Sequence, residues 1–146
     1  MKERQATYVT GASGFIGKHL CERLDNFVAI PHDKIETYPL KPYDYFYFLS
    51  AYGNMAQHTD EKAILQANIN DLVSIIRKTD FNDIKGFVFT STSSIKLPIQ
   101  TMYSRTKRAA EEILLSFTEK YGAPIVIIRP FSVTGVGEQE SHLIPT

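Results

Sequence analysis

Three glycines spaced by three, Gly11, Gly14 and Gly17, constrain this chain more than any other feature. Ala6-Thr7-Tyr8-Val9-Thr10 ahead of them reads as a short buried strand. Phe15 to Leu24 behind them carries apolar residues at helical spacing. The glycines therefore sit in a strand-to-helix turn, the place where a dinucleotide-binding unit keeps its phosphate loop. Gly11 suits the tight turn, Gly14 lets backbone approach a pyrophosphate, and Gly17 allows close packing of the helix on the strand. Backbone N–H groups and the positive end of the helix would then face the phosphates. The spacing is G-x-x-G-x-x-G, not the commoner G-x-G-x-x-G, so the turn alone is a moderate signal.

The rest of the chain repeats the strand-helix alternation. Phe27–Ile30 reads as a second strand, stopped by Pro31, and the proline-interrupted residues 32–42 read as connection. Tyr43 to Ala51 is an almost continuous apolar run, followed by an amphipathic helix from Asp60 to Lys78. Gly86–Ser91 is the fourth strand. A helix from Thr101 to Tyr121 turns Ala109, Ala110, Ile113, Leu114 and Phe117 inward and stops at Gly122 and Pro124. Ile125–Ile128 is the fifth strand. Strands that are apolar throughout and alternate with helices predict an α/β fold, a Rossmann-like doubly wound parallel sheet, as one domain over residues 1–146.

Composition excludes several classes. Sixteen basic residues balance sixteen acidic ones, which argues against a nucleic-acid-binding face. No apolar run approaches the ~20 residues of a membrane span, and Met1 to Gln5 does not read as a signal peptide. The single cysteine, Cys21, reads as a buried spectator and fits a cytoplasmic protein. His19, His32, His58 and His142 lack the spacing of a metal site, so no metal is expected. His19 reads as a surface helix residue, and Glu111-Glu112 as part of a solvated helix face.

Two further stretches can carry chemistry. In Tyr103-Ser104-Arg105-Thr106-Lys107 the phenol and the ammonium lie four apart, on one helix face. A fixed positive charge beside a phenol lowers its pKa toward the range of a general acid or base. Thr90-Ser91-Thr92-Ser93-Ser94 directly follows a buried strand, where hydroxyls can meet a ligand at the carboxyl end of a parallel sheet. Each is weak alone, since such clusters also cap helices and line solvated faces.

The order of the pieces is more specific than any one of them. Gly11-x-x-Gly14-x-x-Gly17, Leu49-Ser50-Ala51, Asn68 in a helix, Thr90 to Ser93, Tyr103-x-x-x-Lys107 and Arg129-Pro130-Phe131-Ser132-Val133-Thr134-Gly135 follow one another along nearly the whole chain. This resembles the extended short-chain dehydrogenase/reductase family, in its nucleotide-sugar epimerase/dehydratase/reductase branch. The resemblance implies that Gly11, Gly14 and Gly17, with Ser13, Phe15 and Ile16, hold the cofactor pyrophosphate, and that Ser50 and Ala51 line its adenosine and ribose side. It implies that Asn68 steadies the active-site backbone, that Thr92, or Ser91 or Ser93 after a one-residue shift, contacts the substrate oxygen, and that Tyr103 is the acid/base. Lys107 would bind the nicotinamide ribose and lower the pKa of Tyr103, with Pro130 to Val133 at the nicotinamide end. The implied partner is a nucleotide-linked sugar, and a homodimer is implied as well.

Three departures bear on activity. Pro31 stands where an acidic residue should end the second strand. Just beyond it, Asp33 favours NAD while His32 and Lys34 suit NADP, so NAD is slightly favoured. The loop between the serines and Tyr103 is short, with Lys96-Leu97 where relatives often have Tyr-Gly. Relatives continue past Thr146 into a substrate-binding domain, so the chain reads as the N-terminal cofactor-binding part of a longer enzyme. Epimerase and 4-keto reductase are the leading activities, because Ser93-Ser94 replace the Asp-Glu pair typical of a dehydratase. A non-catalytic dinucleotide-binding module and an inactive cofactor-domain fragment are the competing readings.

Overall fold

The computed structural model describes residues 6–138. Met1–Gln5 and His142, both considered above, lie outside that range. Five parallel strands form one sheet in the order β2-β1-β3-β4-β5. They are β1 (Ala6–Thr10), β2 (Val28–Ile30), β3 (Tyr43–Phe48), β4 (Gly86–Thr90) and β5 (Ile125–Ile128). Each matches an expected strand, with ends that differ by at most three residues. Connections run outward from β1 to β2 and then from β3 toward β5, so the winding reverses between β1 and β3. In an open parallel sheet that reversal leaves a crevice at the carboxyl ends of the strands, where ligands bind.

The core follows from the alternation of strand side chains. Phe46 and Phe48 on β3 and Phe87 and Phe89 on β4 point to one face and are fully buried. Phe46 and Phe87 stack with ring centroids 5.2 Å apart, and Phe48 and Phe89 lie 5.9 Å apart. This aromatic layer is closed by Leu72, Ile75 and Ile76 from one helix and by Ala110 and Leu114 from another. The first of these helices runs as α2 (Glu61–Leu65), a stretch of π-helix (Gln66–Asn70) and α3 (Asp71–Arg77). Asp60 caps its start, accepting from the N–H groups of Lys62 and Ala63. The second is α4 (Met102–Tyr121), opened by a reciprocal Thr101–Ser104 cap and ended by Gly122 at φ 62°. Ala109, expected to face inward, is exposed: Ala110 and Leu114 hold the contact, and Ala109 lies one position off that stripe.

The link between β2 and β3 holds only a short 3-10 turn, His32–Lys34, as its prolines predict. Ile35 anchors it in the core. The Lys78 ammonium then donates to the carbonyls of Ile35, Glu36 and Tyr38, and the Ser74 hydroxyl donates to that of Glu36. These bonds replace those a crossover helix would have made internally.

Candidate functional site

The expected site residues gather at one end of the sheet because each follows the carboxyl end of a strand or begins the helix after it. Gly11 follows β1, Asp33 follows β2, Ser50 and Ala51 follow β3, Thr92 follows β4 and Pro130 follows β5. At the reversal between β1 and β3, the buried Thr10 hydroxyl accepts from Leu49 N at 3.2 Å and from the Ser50 hydroxyl at 3.1 Å. Thr10 thereby draws the ends of the two strands together beneath the glycine turn.

The glycine turn is shaped by close backbone contact. Gly11 has φ 72°, and a Cβ there would lie 2.7 Å from Ser50 N and 2.9 Å from the Leu49 carbonyl carbon. A Cβ on Gly17 would overlap the Gly11 carbonyl oxygen and lie 2.8 Å from Ala12 Cα. Gly17 thus seats helix α1 (Phe15–Cys21) on the turn itself, where packing against the strand was expected. Around Gly14 the nearest atom to such a Cβ is the Gly11 oxygen at 3.3 Å, and Ser13 and Ile16 are exposed. The start of α1 has no side-chain cap and no acidic residue in its first turn. A surface of bare backbone with uncapped N–H groups fits the pyrophosphate of a dinucleotide. Asp33, His32 and Lys34 are all exposed beside it, on the turn after β2.

Thr92, Tyr103, Lys107 and Asn68 come together around the end of β4. Thr92 is 9% exposed and caps the following 3-10 turn, accepting from Ser94 N at 3.1 Å. Its side chain also lies beside the Tyr103 phenol. Burial raises the pKa of Tyr103, and the neighbouring Thr92 side chain opposes that rise. Lys107 is 1% exposed; its Nζ donates to the Thr90 carbonyl at 2.5 Å and lies 4.2 Å from the centre of the Phe89 ring. Burial brings Lys107 down to about 7, with the charge of Glu111 acting the other way. Asn68, 1% exposed in the π-helical stretch, bonds the backbone of Tyr52 and the Thr106 hydroxyl. A π-turn inside a helix often marks a functional position.

One buried side chain and one surface contact escaped the sequence reading. Glu111 belongs to no solvated face: it is 2% exposed, with Arg129 Nε donating to Oε1 at 3.0 Å and Nη2 to Oε2 at 2.6 Å. Its four-residue offset from Lys107 was the available signal, masked by the exposed Glu112 beside it. His19 is half-buried, its Nε2 bonding the Val136 carbonyl at 2.9 Å, with Phe15 and His19 both packed near Gly135. The segment after β5 is thus tied across α1. Cys21 is half-buried rather than buried, and burial raises its thiol pKa. Among the described residues no cluster of three metal-ligating side chains occurs, and no helix is long and apolar enough to cross a membrane.

The all-parallel doubly wound sheet, with its glycine turn at the winding reversal, defines a Rossmann-type dinucleotide-binding fold. Residues 32–146 match the NAD dependent epimerase/dehydratase family, and the chain belongs to it. Among its relatives, an uncharacterized UDP-glucose epimerase of Bacillus subtilis is 27% identical over a 177-residue alignment covering 87% of this chain and 56% of that one. The UDP-2-acetamido-2,6-beta-L-arabino-hexul-4-ose reductase of Pseudomonas aeruginosa is 28% identical over 136 residues, 87% of this chain and 35% of that one. The chain thus spans about half or less of the curated relatives it matches. The crystal structure of UDP-glucuronic acid 4-epimerase from Bacillus cereus in complex with NAD superposes with a TM-score of 0.74 at 23% identity. That match covers 89% of this chain and 57% of that one. Solved structures that share this fold bind NAD or NADPH.

Proposed function

We propose that this chain is the cofactor-binding part of an NAD(P)-dependent enzyme that acts on a nucleotide-linked sugar, as an epimerase or a 4-keto reductase. The observation that carries the reading is the convergence of Thr92, Tyr103 and Lys107 at the end of β4, at the same end of the sheet as the glycine turn. The bound nicotinamide would supply the hydride acceptor or donor. Tyr103 Oη would take the proton of a sugar hydroxyl, or return it in the reverse direction, while Thr92 holds the reacting oxygen. Lys107 would present positive charge to the phenolate and to the cofactor ribose. Asp33, exposed after β2, favours NAD by accepting from ribose hydroxyls.

The substrate-binding domain is assigned to sequence beyond the part of the relatives that this chain spans, and pairing into a homodimer follows from the family resemblance. The partial span also supports a second reading, a dinucleotide-binding module without turnover. Titration of the 146-residue chain with NAD(H) and NADP(H), by calorimetry and thermal shift, tests the shared premise. Saturable binding with a rise in Tm supports it, since a ligand of the folded state alone must stabilise that state. Absence of binding by both cofactors rejects it for this chain.

A further inference from the structure

Glu111 is buried at a cost that its partner does not explain. Taking a carboxylate and a guanidinium out of water is often no better for stability than apolar packing of the same volume. Yet Glu111 is 2% exposed and gripped by both arms of the Arg129 fork, whose own side chain remains 40% exposed. The carboxylate sits one helical turn from Lys107 and on the same face of α4. Lys107 is in turn sealed from solvent, with the Thr90 carbonyl and the Phe89 ring against its ammonium among the described residues. No carboxylate approaches within 4 Å of it among the described residues.

We infer that Glu111, clamped by Arg129, is a positioning residue whose negative charge stabilises the protonated form of the buried Lys107. The inference deepens the functional reading above and rests on it for the role of Lys107. Around Lys107 the titratable or charged groups are Tyr103 and Glu111 on its own helix and Arg129 from the end of β5, reached through Glu111. β4 contributes a carbonyl and an aromatic ring, and the helix through Asn68 contributes a neutral amide. Positive, negative and positive charges thus alternate from the end of β5 into the site. Burial pushes the Glu111 carboxyl up, but the Arg129 bonds, the neighbouring Ser91 hydroxyl and the charges of Arg129 and Lys107 outweigh it and hold Glu111 below the usual range. Burial pulls Lys107 down and Glu111 opposes that pull. Arg129 directly precedes Pro130, so the clamp also fixes the strand end that leads into the nicotinamide side of the cleft.

The test is the titration of Lys107 itself, followed by NMR of 13C- and 15N-labelled lysine in the 146-residue chain without cofactor, with Lys107→Met giving the assignment. A wild-type midpoint near 7 is expected. In Glu111→Gln it falls by about one to two units, the effect of an opposite charge one turn away at an effective dielectric of ~20. Glu111→Asp, which keeps the charge, moves it back toward wild type. A merely structural Glu111 would lower Tm in Glu111→Gln and leave the midpoint where it was, which overturns the proposal. Should Glu111→Gln not fold, the wild-type protein still decides: a midpoint below about 5 means that Glu111 does not hold the charge. Because no cofactor enters this experiment, a shifted midpoint beside absent NAD(P) binding rejects the functional reading alone, and an unshifted midpoint beside tight binding rejects only the role of Glu111.

Discussion

Asn68 and Tyr52 are joined by a two-way hydrogen bond: Tyr52 N–H donates to Oδ1 at 3.0 Å, and Nδ2 donates to the Tyr52 carbonyl at 2.9 Å. The second proton on Nδ2 goes to Thr106 Oγ1 at 3.0 Å, so one buried amide ties the loop after β3 to the helix that carries Tyr103 and Lys107. Asn68→Ala leaves a backbone N–H, a carbonyl and a hydroxyl without that partner. The expected loss is on the order of 2–3 kcal/mol in urea unfolding, with Asn68→Asp also destabilising because it removes the amide donor. Wild-type stability in Asn68→Ala would show that water takes over all three bonds.

The glycine turn predicts an order of tolerance. Alanine at Gly17 drives a methyl into the Gly11 carbonyl, and alanine at Gly11 meets the backbone of Leu49 and Ser50 from a left-handed conformation. Each contact is with backbone that cannot yield locally, so Gly11→Ala and Gly17→Ala should each cost more than ~3 kcal/mol or prevent folding. Gly14→Ala meets a single oxygen at 3.3 Å and should fold, lowering Tm by only a few degrees. Its effect should fall on NAD(P) affinity, measured by calorimetry, because the added methyl stands on the open side of the turn. Equal destabilisation by all three substitutions would contradict this geometry.

Much of this arrangement was legible in the chain because parallel strands and their crossover helices carry long, unambiguous apolar patterns. Phe46, Phe48, Phe87 and Phe89 declare buried strands, and the motif order around Tyr103 and Lys107 pointed to the candidate site region. What stayed hidden depends on packing between distant segments. Glu111 looks solvated beside Glu112 until Arg129, 18 residues away, folds back onto it. His19 is a surface helix residue as expected, but its bond to Val136, from the other end of the chain, left no signal in the sequence. The expected depression of the Tyr103 pKa by Lys107 also required knowing where each polar atom points. The phenol sits beside Thr92 and its pKa is raised by burial, while the lysine is turned to the Thr90 carbonyl.

Tyr103→Phe separates the catalytic reading from the binding one. The phenol oxygen is the only atom removed, and the half-buried ring keeps its packing. NAD(P) affinity should stay within about twofold, whereas the nucleotide-sugar turnover proposed above should fall by ~100- to 10,000-fold. Retained turnover would remove Tyr103 from its acid/base role, and a cofactor that binds without turnover even in wild type would favour the non-catalytic module.

Lys107 predicts how stability varies with pH. Its pKa in the folded chain is about 7, against 10.5 when unfolded. Between these values the unfolded chain binds more protons than the folded one, so stability rises with pH. The contribution is fully present above the unfolded value and lost as pH falls through about 7. Tyr43 and Tyr103, both raised by burial, act in the opposite sense only once unfolded tyrosines begin to ionise near 10. Cys21, also raised by burial, opposes the slope once unfolded thiols ionise at about 8.5. The clean window is therefore roughly pH 7 to 8.5, where each unit adds up to ~1.4 kcal/mol. Lys107→Met fills the same space without a titrating group and should flatten this slope in urea unfolding across that window. It should also match or exceed wild-type stability near pH 7, where the buried amine carries most of its desolvation cost, less what the lost bond to Thr90 contributed. Parallel pH profiles for the two proteins would mean that Lys107 titrates as an ordinary exposed lysine and that its burial is relieved in solution.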